Sequence, residues 1–238
     1  VRRRMRREPV AYLVGHKEFY GLDFLVNRHV LVPRPETETL VEYAFKEVVR
    51  CQMSSVKCSI IDIGTGSGAI AVAIVKELGI RNYESGVEFF ATDISSEALR
   101  VARKNARRHG VAKRIKFLRG NLMEPIIRNF LNSQFRNFVI TANLPYLPTA
   151  EWRTTMPEVR RYEPRGALDG GKDGLKYYRE LFDQVSGIRF QGSGVVLCEI
   201  CPEQAAGFKK MARGYFPSAK VDVVKDLAGR NRVVAVKI

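Results

Sequence analysis

Residues 59–70 most constrain what this chain can fold into. Ser59-Ile60-Ile61-Asp62-Ile63 is a short, apolar, β-branched run, the pattern of a strand buried on both faces. Gly64-Thr65-Gly66-Ser67-Gly68 follows at once, and a helix with small residues near its start runs from Ala69 to Leu78. The alternate glycines permit left-handed backbone and let a ligand press against the main chain. Strand, glycine turn and helix together make a nucleotide-binding arrangement, with the ligand at the carboxyl end of the strand.

The pattern repeats downstream. Phe89-Phe90-Ala91-Thr92-Asp93 reads as the next strand, and Ser95-Ser96-Glu97-Ala98 opens a helix running to Gly110. Ile115-Lys116-Phe117-Leu118 and Phe138-Val139-Ile140-Thr141 are further strands. A polar segment, 147–174, interrupts the alternation. A helix over 175–185, a strand over 194–200, a helix over 203–213 and a strand pair at 221–224 and 233–238 complete it. This order predicts an α/β fold, a parallel sheet with helices on both faces. Upstream, 1–9 reads as a basic connector and 10–15 as an apolar piece closed by Gly15. A β-hairpin is expected over 17–32. Pro33-Arg34-Pro35-Glu36-Thr37 then opens a helix, with Thr37 as its cap and Leu40, Val41, Ala44, Phe45 and Val48 as its stripe. The division expected is 1–50, a linker remnant, hairpin and helix, and 51–238, the main domain.

The 238 residues carry a net charge of +15, concentrated in Arg2-Arg3-Arg4, Arg6-Arg7 and residues 100–114. Such a charge favours an acidic partner, although the plainer reading of 100–114 is a solvated helix face. There is no signal-peptide core and no apolar run long enough to span a membrane, so a cytoplasmic protein with no membrane contact is expected. The chain starts at Val1, which reads as a protein whose preceding segment is missing. Cys198-Glu199-Ile200-Cys201 has metal-pair spacing but no matching second pair. All four cysteines are read as buried structural thiols.

Asp93 stands one strand after the glycine turn, where a carboxylate can accept both ribose hydroxyls of an adenosine. The turn alone also fits NAD. Two features favour S-adenosylmethionine. Asp62 precedes the turn, where it can steer an ammonium group or organise the loop. The second feature is Asn143-Leu144-Pro145-Tyr146, at the end of a later strand. Pro145 holds Leu144 extended, so the Leu144 carbonyl stands beside the Asn143 side-chain oxygen. Two fixed acceptors can grip both hydrogens of one planar NH2 group, and Tyr146 offers a flat face to cover it. An ordinary Asn-Pro turn is the plainer reading. His16, His29 and His109 fall outside these motifs and receive no role.

With these residues in hand, the chain resembles the glutamine methyltransferases of peptide release factors, the PrmC/HemK family, from about Pro9 to its C-terminus. The resemblance is carried by Glu18-Phe19-Tyr20-Gly21-Leu22-Asp23-Phe24, Val32-Pro33-Arg34-Pro35-Glu36-Thr37-Glu38 and the glycine turn. Glu163-Pro164-Arg165, Leu168-Asp169-Gly170-Gly171-Lys172-Asp173-Gly174-Leu175 and Glu199-Ile200 add to it. It implies a Rossmann-like class I S-adenosylmethionine-dependent methyltransferase: a mostly parallel seven-stranded sheet with an N-terminal β-hairpin, without the family's N-terminal helical domain. S-adenosylmethionine is the implied donor, S-adenosylhomocysteine the product, and the glutamine of a Gly-Gly-Gln motif in a class I release factor the acceptor. Cofactor contacts are then expected from Asp62, Gly64, Thr65, Gly66, Ser67, Gly68, Asp93, Asn121, Leu122 and Asn143. Substrate contacts are expected from Asn143, Leu144, Pro145, Tyr146, Glu163 and Arg165. Arg34 and Glu36 are either a surface ion pair or residues that close over the cofactor, and Phe19 and Tyr20 pack the hairpin.

Three positions depart from the family pattern. Leu144 replaces the first proline of Asn-Pro-Pro-Tyr, Asn121 stands where Asp is usual, and Cys201 replaces a common Gly. Asn-Leu-Pro-Tyr is also the form typical of ribosomal RNA adenine dimethyltransferases, which makes a nucleic-acid adenine methyltransferase the second reading. A non-catalytic S-adenosylmethionine-binding module is the third.

Overall fold

The computed structural model describes residues 1–53, 58–80, 87–130, 137–188 and 192–238. Two short helices, α1 (Arg2–Met5) and α2 (Val10–Val14), lead in, where a connector and an apolar piece were expected. Gly15 ends α2 in the left-handed region at φ +83°. Strands β1 (His16–Phe19) and β2 (Leu22–Leu25) form the hairpin. Both turn residues, Tyr20 and Gly21, have positive φ, the two-residue geometry whose twist matches paired strands. The hairpin is shorter than expected, because residues 26–32 leave the pairing and bury Val26, Val30 and Val32 instead.

Then follow α3 (Glu38–Met53), β3 (Cys58–Ile63), α4 (Ala69–Ile80), β4 (Val87–Asp93), α5 (Ser96–Arg108), β5 (Ile115–Arg119), α6 (Glu124–Phe130) and β6 (Asn137–Ala142). The 147–174 segment, expected to be irregular, contains two short helices, α7 (Thr149–Thr154) and α8 (Pro157–Tyr162). The chain closes with α9 (Lys176–Ser186), β7 (Gly194–Glu199), α10 (Ala205–Tyr215), β8 (Lys220–Lys225) and β9 (Asn231–Lys237).

The main sheet has seven strands in the order β5-β4-β3-β6-β7-β9-β8. The first five are parallel, and β9 runs antiparallel between β7 and β8. Successive β3 residues point to opposite faces: Ile60 joins the core under α3, α4 and the hairpin, and Ile61 and Ile63 join the core under α6, α9 and α10. Both faces are covered, which is why β3 and β6 are buried from end to end.

Asn105 of α5 ties the N-terminal region to this sheet. Its Oδ1 accepts from Leu25 N (2.8 Å), and its Nδ2 donates to Leu25 O (3.0 Å) and to Ser67 O (2.8 Å). The outer face of α5 carries exposed Arg100, Arg103, Lys104, Arg107 and Arg108, the solvated face expected. The cysteines correct one expectation. Cys51 of α3 and Cys58 of β3 are joined as a disulfide, whereas Cys198 is buried and free. Among the described residues no helix is long and apolar enough to cross a membrane, and no cluster of His, Cys, Asp and Glu could hold a metal ion.

Candidate active site

The site follows from sheet order. The chain steps outward from β3 to β4 to β5, then returns to place β6 on the other side of β3. At such a reversal the helices leave on opposite sides, and a crevice opens at the carboxyl ends of the strands. Ile63 pairs in register with Ala142, so Gly64 and Asn143 leave the sheet side by side. The glycine at 64 has a physical reason. Its φ is +70°, and an added Cβ would stand 3.0 Å from Leu144 Cδ2.

A cavity of about 400 Å3 occupies this crevice. Residues 64–67, Asp93, Asn121, Leu122, Asn143, Leu144 and Pro145 all line it. The two Asp93 oxygens are fixed by loop amides, Oδ2 by Gly66 N (2.9 Å) and Oδ1 by Ser95 N (2.8 Å). Burial raises the Asp93 carboxyl above the ordinary carboxylate range, opposed by those same amides. Leu122 holds φ +51°, unusual for a branched residue, while Thr92 Oγ1 donates to its carbonyl (2.9 Å). A strained backbone at a cavity wall belongs to a position the surrounding structure over-determines.

Asp62 and Gly68 stand behind this wall. Gly68 lets α4 approach α5, since a Cβ there would lie 3.1 Å from Ala102 Cβ. Asp62 is 1% exposed, and its Oδ1 accepts from Thr141 Oγ1 (2.8 Å). Thr65 stands close enough to favour its charged form, yet Asp62 Oδ2 and Thr65 Oγ1 are buried without completing a hydrogen bond. Burial nevertheless pushes the Asp62 carboxyl up to about 6. The folded protein thus holds that proton more tightly than the unfolded chain. Its contribution to stability is complete below the usual carboxylate range and is lost as pH rises through about 6. Asp62→Asn does not titrate, so its stability relative to wild type should rise by about 2–3 kcal/mol between roughly pH 4 and pH 7. Urea midpoints across that range measure it, and a difference independent of pH would contradict the assignment.

At the β6 end, Asn143 Nδ2 donates to Thr37 Oγ1 (3.1 Å) across 106 residues of sequence. Among the described residues no donor reaches Asn143 Oδ1. Tyr178 Oη stands 3.3 Å from the Leu144 carbonyl but makes a much shorter bond to the Glu199 carbonyl. One hydroxyl carries one hydrogen, so the Leu144 oxygen keeps most of its accepting capacity. Tyr146 is not on the cavity wall: its hydroxyl donates to Glu199 Oε1 (3.1 Å) and its carbonyl accepts from Gln204 Nε2 (2.8 Å).

Several residues act where the sequence did not place them. Thr37, expected as a helix cap, is buried in a 3₁₀ turn (Pro35–Thr37) ahead of α3, with its hydroxyl oxygen accepting from Asn143. Arg34 lines the cavity but pairs with Glu163 (2.5 Å), not Glu36, and Glu163 Oε2 also accepts from Val32 N (3.2 Å). Glu163 is therefore a buried strut behind the 28–34 wall. Arg165 lies off the cavity, bonded to Asp169 (2.8 Å) and stacked over Trp152 (4.3 Å). Phe19 both packs the core and lines the cavity. His29, given no role above, also lines it; no local signal marks it, because only the fold of 26–32 brings it there.

Comparison with known proteins agrees in kind. A family described as "Methyltransferase domain" matches residues 60–166. The release factor glutamine methyltransferase of Bacillus anthracis is 35% identical over 230 residues, 97% of this chain and 76% of that protein. Its namesake from Moorella thermoacetica is 40% identical over 230 residues, 97% of this chain and 75% of that one. Among solved structures, the hMettl16 catalytic domain in complex with a MAT2A 3′UTR hairpin superposes with a TM-score of 0.64 at 16% identity, covering 92% of this chain and 75% of that chain. The N-terminal domain of human METTL16 in complex with SAH gives 0.59 at 16% identity, with the same coverages of 92% and 75%. At that identity the likeness is one of fold.

Proposed function

Because this chain belongs to the release factor glutamine methyltransferase family, we propose that it methylates the side-chain amide nitrogen of the glutamine in the Gly-Gly-Gln motif of a class I peptide chain release factor. It is an S-adenosylmethionine-dependent methyltransferase. The cavity fits that donor. Its volume of about 400 Å3 is that of a small-molecule site. The Asp93 oxygens are preset by amide donors and keep lone pairs for two ribose hydroxyls. The Gly64 and Gly66 backbone lies open to a ligand, and the Asn121 amide can meet an adenine edge. When bound, S-adenosylmethionine supplies a strongly electrophilic sulfonium methyl.

The observation that carries the substrate reading is the commitment of Asn143 Nδ2 to Thr37. With its NH2 end turned to Thr37, Asn143 keeps a carboxamide oxygen that no donor among the described residues reaches. That oxygen and the Leu144 carbonyl form a pair of acceptors suited to the two N–H bonds of a carboxamide. An amide nitrogen is a poor nucleophile, because its lone pair is spread into the carbonyl. Two acceptors drawing on its hydrogens orient that lone pair and interact best as positive charge grows on nitrogen. The chain's part is to hold the amide in one geometry, which is catalysis by positioning. Pro145 stiffens the strand end, and Tyr146 is anchored through its hydroxyl on Glu199.

The test offers a labelled methyl donor with a class I release factor, with the same factor carrying Gln→Ala in its Gly-Gly-Gln motif, and with ribosomal RNA. Label in the unaltered factor alone is the expected result. Label in RNA, where the same acceptors would hold an aromatic amino group, would move the assignment to the adenine reading.

A further inference from the structure

Glu199 ends β7 and is 1% exposed. Tyr146 Oη donates to its Oε1 at 3.1 Å, while Oε2 is buried and completes no hydrogen bond. The Thr37 hydroxyl stands close enough to this carboxyl to favour its charged form, without completing a hydrogen bond to it. The same hydroxyl accepts from Asn143 Nδ2 at 3.1 Å. So a buried carboxyl, one threonine and the strand-end asparagine stand in a line that reaches the cavity.

That line has a polarity. A hydroxyl carries a single hydrogen and can accept on its lone pairs. Beside a buried carboxylate oxygen that no other donor reaches among the described residues, its hydrogen is drawn that way, because a charged acceptor attracts it more strongly than an amide oxygen does. Only lone pairs then remain toward Asn143, which must answer with its N–H and turn its oxygen to the cavity. Remove the carboxylate, and the hydroxyl is free to donate to Asn143 instead. The amide would then turn over and present NH2 to the cavity, where it cannot accept from a substrate NH2.

We infer that Glu199 is a positioning residue which, through the Thr37 hydroxyl, sets which end of the Asn143 amide faces the substrate. This rests on the reading of Asn143 as an acceptor for a carboxamide. The charged and titratable groups around Glu199 are Tyr146, Tyr178, Arg232, Glu36 and Cys201, of which Arg232 favours its ionised form. Burial, the largest influence, pushes the carboxyl up to about 7.

The experiment compares wild type, Thr37→Val, Thr37→Ser, Glu199→Gln and the Thr37→Val/Glu199→Gln double variant on a release factor, with S-adenosylhomocysteine binding measured for each. Thr37→Val and Glu199→Gln should each lower kcat about 10- to 100-fold, with product affinity and the KM for release factor little changed. Thr37→Ser, which restores the hydroxyl, should recover most of that loss. The double variant should lose no more than the worse single, because both break one chain of contacts. Wild-type kcat should rise through about pH 7, and that inflection should vanish in Glu199→Gln. Wild-type kcat in either single variant, or losses that multiply in the double, would overturn the inference while leaving the proposed function standing. An Asn143→Ala variant with full turnover would remove both the clamp and this inference.

Discussion

Asn143→Ala will lower the rate of glutamine methylation by roughly 30- to 1,000-fold, about 2–4 kcal/mol, by analogy with the loss of one preorganised oxyanion-hole donor. The size follows from where the interaction acts. In the proposed clamp the Asn143 oxygen works hardest when the substrate nitrogen is becoming positive, so its removal should fall on turnover and not on binding. Asn143 also lines the cavity beside Gly64, yet the group proposed to meet the ribose there is Asp93, some fifty residues away in sequence and fixed by its own amides. S-adenosylmethionine affinity should therefore change far less than kcat. Single-turnover methylation of a release factor and calorimetric titration of the cofactor separate the two. Equal losses in both would mean that Asn143 serves the cofactor, and an unchanged rate would mean that it serves neither.

Gly174→Ala will cost about 3–5 kcal/mol of stability and remove activity with it. Gly174 has φ +73°, and a Cβ there would lie 2.1 Å from the Tyr146 carbonyl oxygen and 2.4 Å from Gln204 Nε2. The nearer atom is backbone and cannot swing aside. It belongs to the segment that leaves β6, and the 168–175 loop is stitched to that segment by Leu147 N to Leu168 O (3.0 Å) and Gly170 N to Leu147 O (2.8 Å). Pushing Gly174 away therefore pulls on the backbone that holds Leu144 and Pro145 at the cavity. Gly229→Ala is the control. Its φ of +75° is nearly the same, but nothing lies within 4 Å of its Cβ, so only the left-handed penalty of about 1–2 kcal/mol applies. Urea unfolding of the two variants measures the difference, and equal costs would refute the role given to the overlap.

The Leu168-Asp169-Gly170-Gly171-Lys172-Asp173-Gly174-Leu175 stretch marks how far a sequence motif can be read. It adds to the family resemblance, but the sequence assigns its glycines no task. Their task is close approach: Gly170 donates to the Leu147 carbonyl, and a Cβ at Gly170 or Gly174 would overlap the Pro145 or Tyr146 carbonyl oxygen. Arg34 and Glu36 mislead in the opposite sense. They are close in sequence and opposite in charge, yet Arg34 reaches across 129 residues to Glu163, which stands just before Pro164, Gly166 and Ala167 on the wall of the cavity that Arg34 also lines. Burying Glu163 makes that distant pair the satisfied one. The cysteines divide the same way. The apolar run around Cys198 marked it as buried, while the pairing of Cys51 with Cys58 depends on how the end of α3 meets the start of β3.

Taken alone, the order of residues did not determine the short helices α1, α2, α6, α7 and α8, but it did determine the succession of sheet strands and the longer helices between them, the glycine loop after β3, the carboxylate after β4 and the asparagine after β6. Those are local matters, settled by side-chain period, β-branching and the conformations that glycine and proline permit. Tertiary structure decided what stands beside what. It set Gly64 against Asn143 through the β3–β6 register, brought Thr37 and Glu199 in behind the asparagine, and moved Tyr146 off the cavity wall. Contacts of that kind join residues tens to more than a hundred positions apart. They are chosen by strand order and by the need of buried polar groups for partners, which no short stretch of sequence carries.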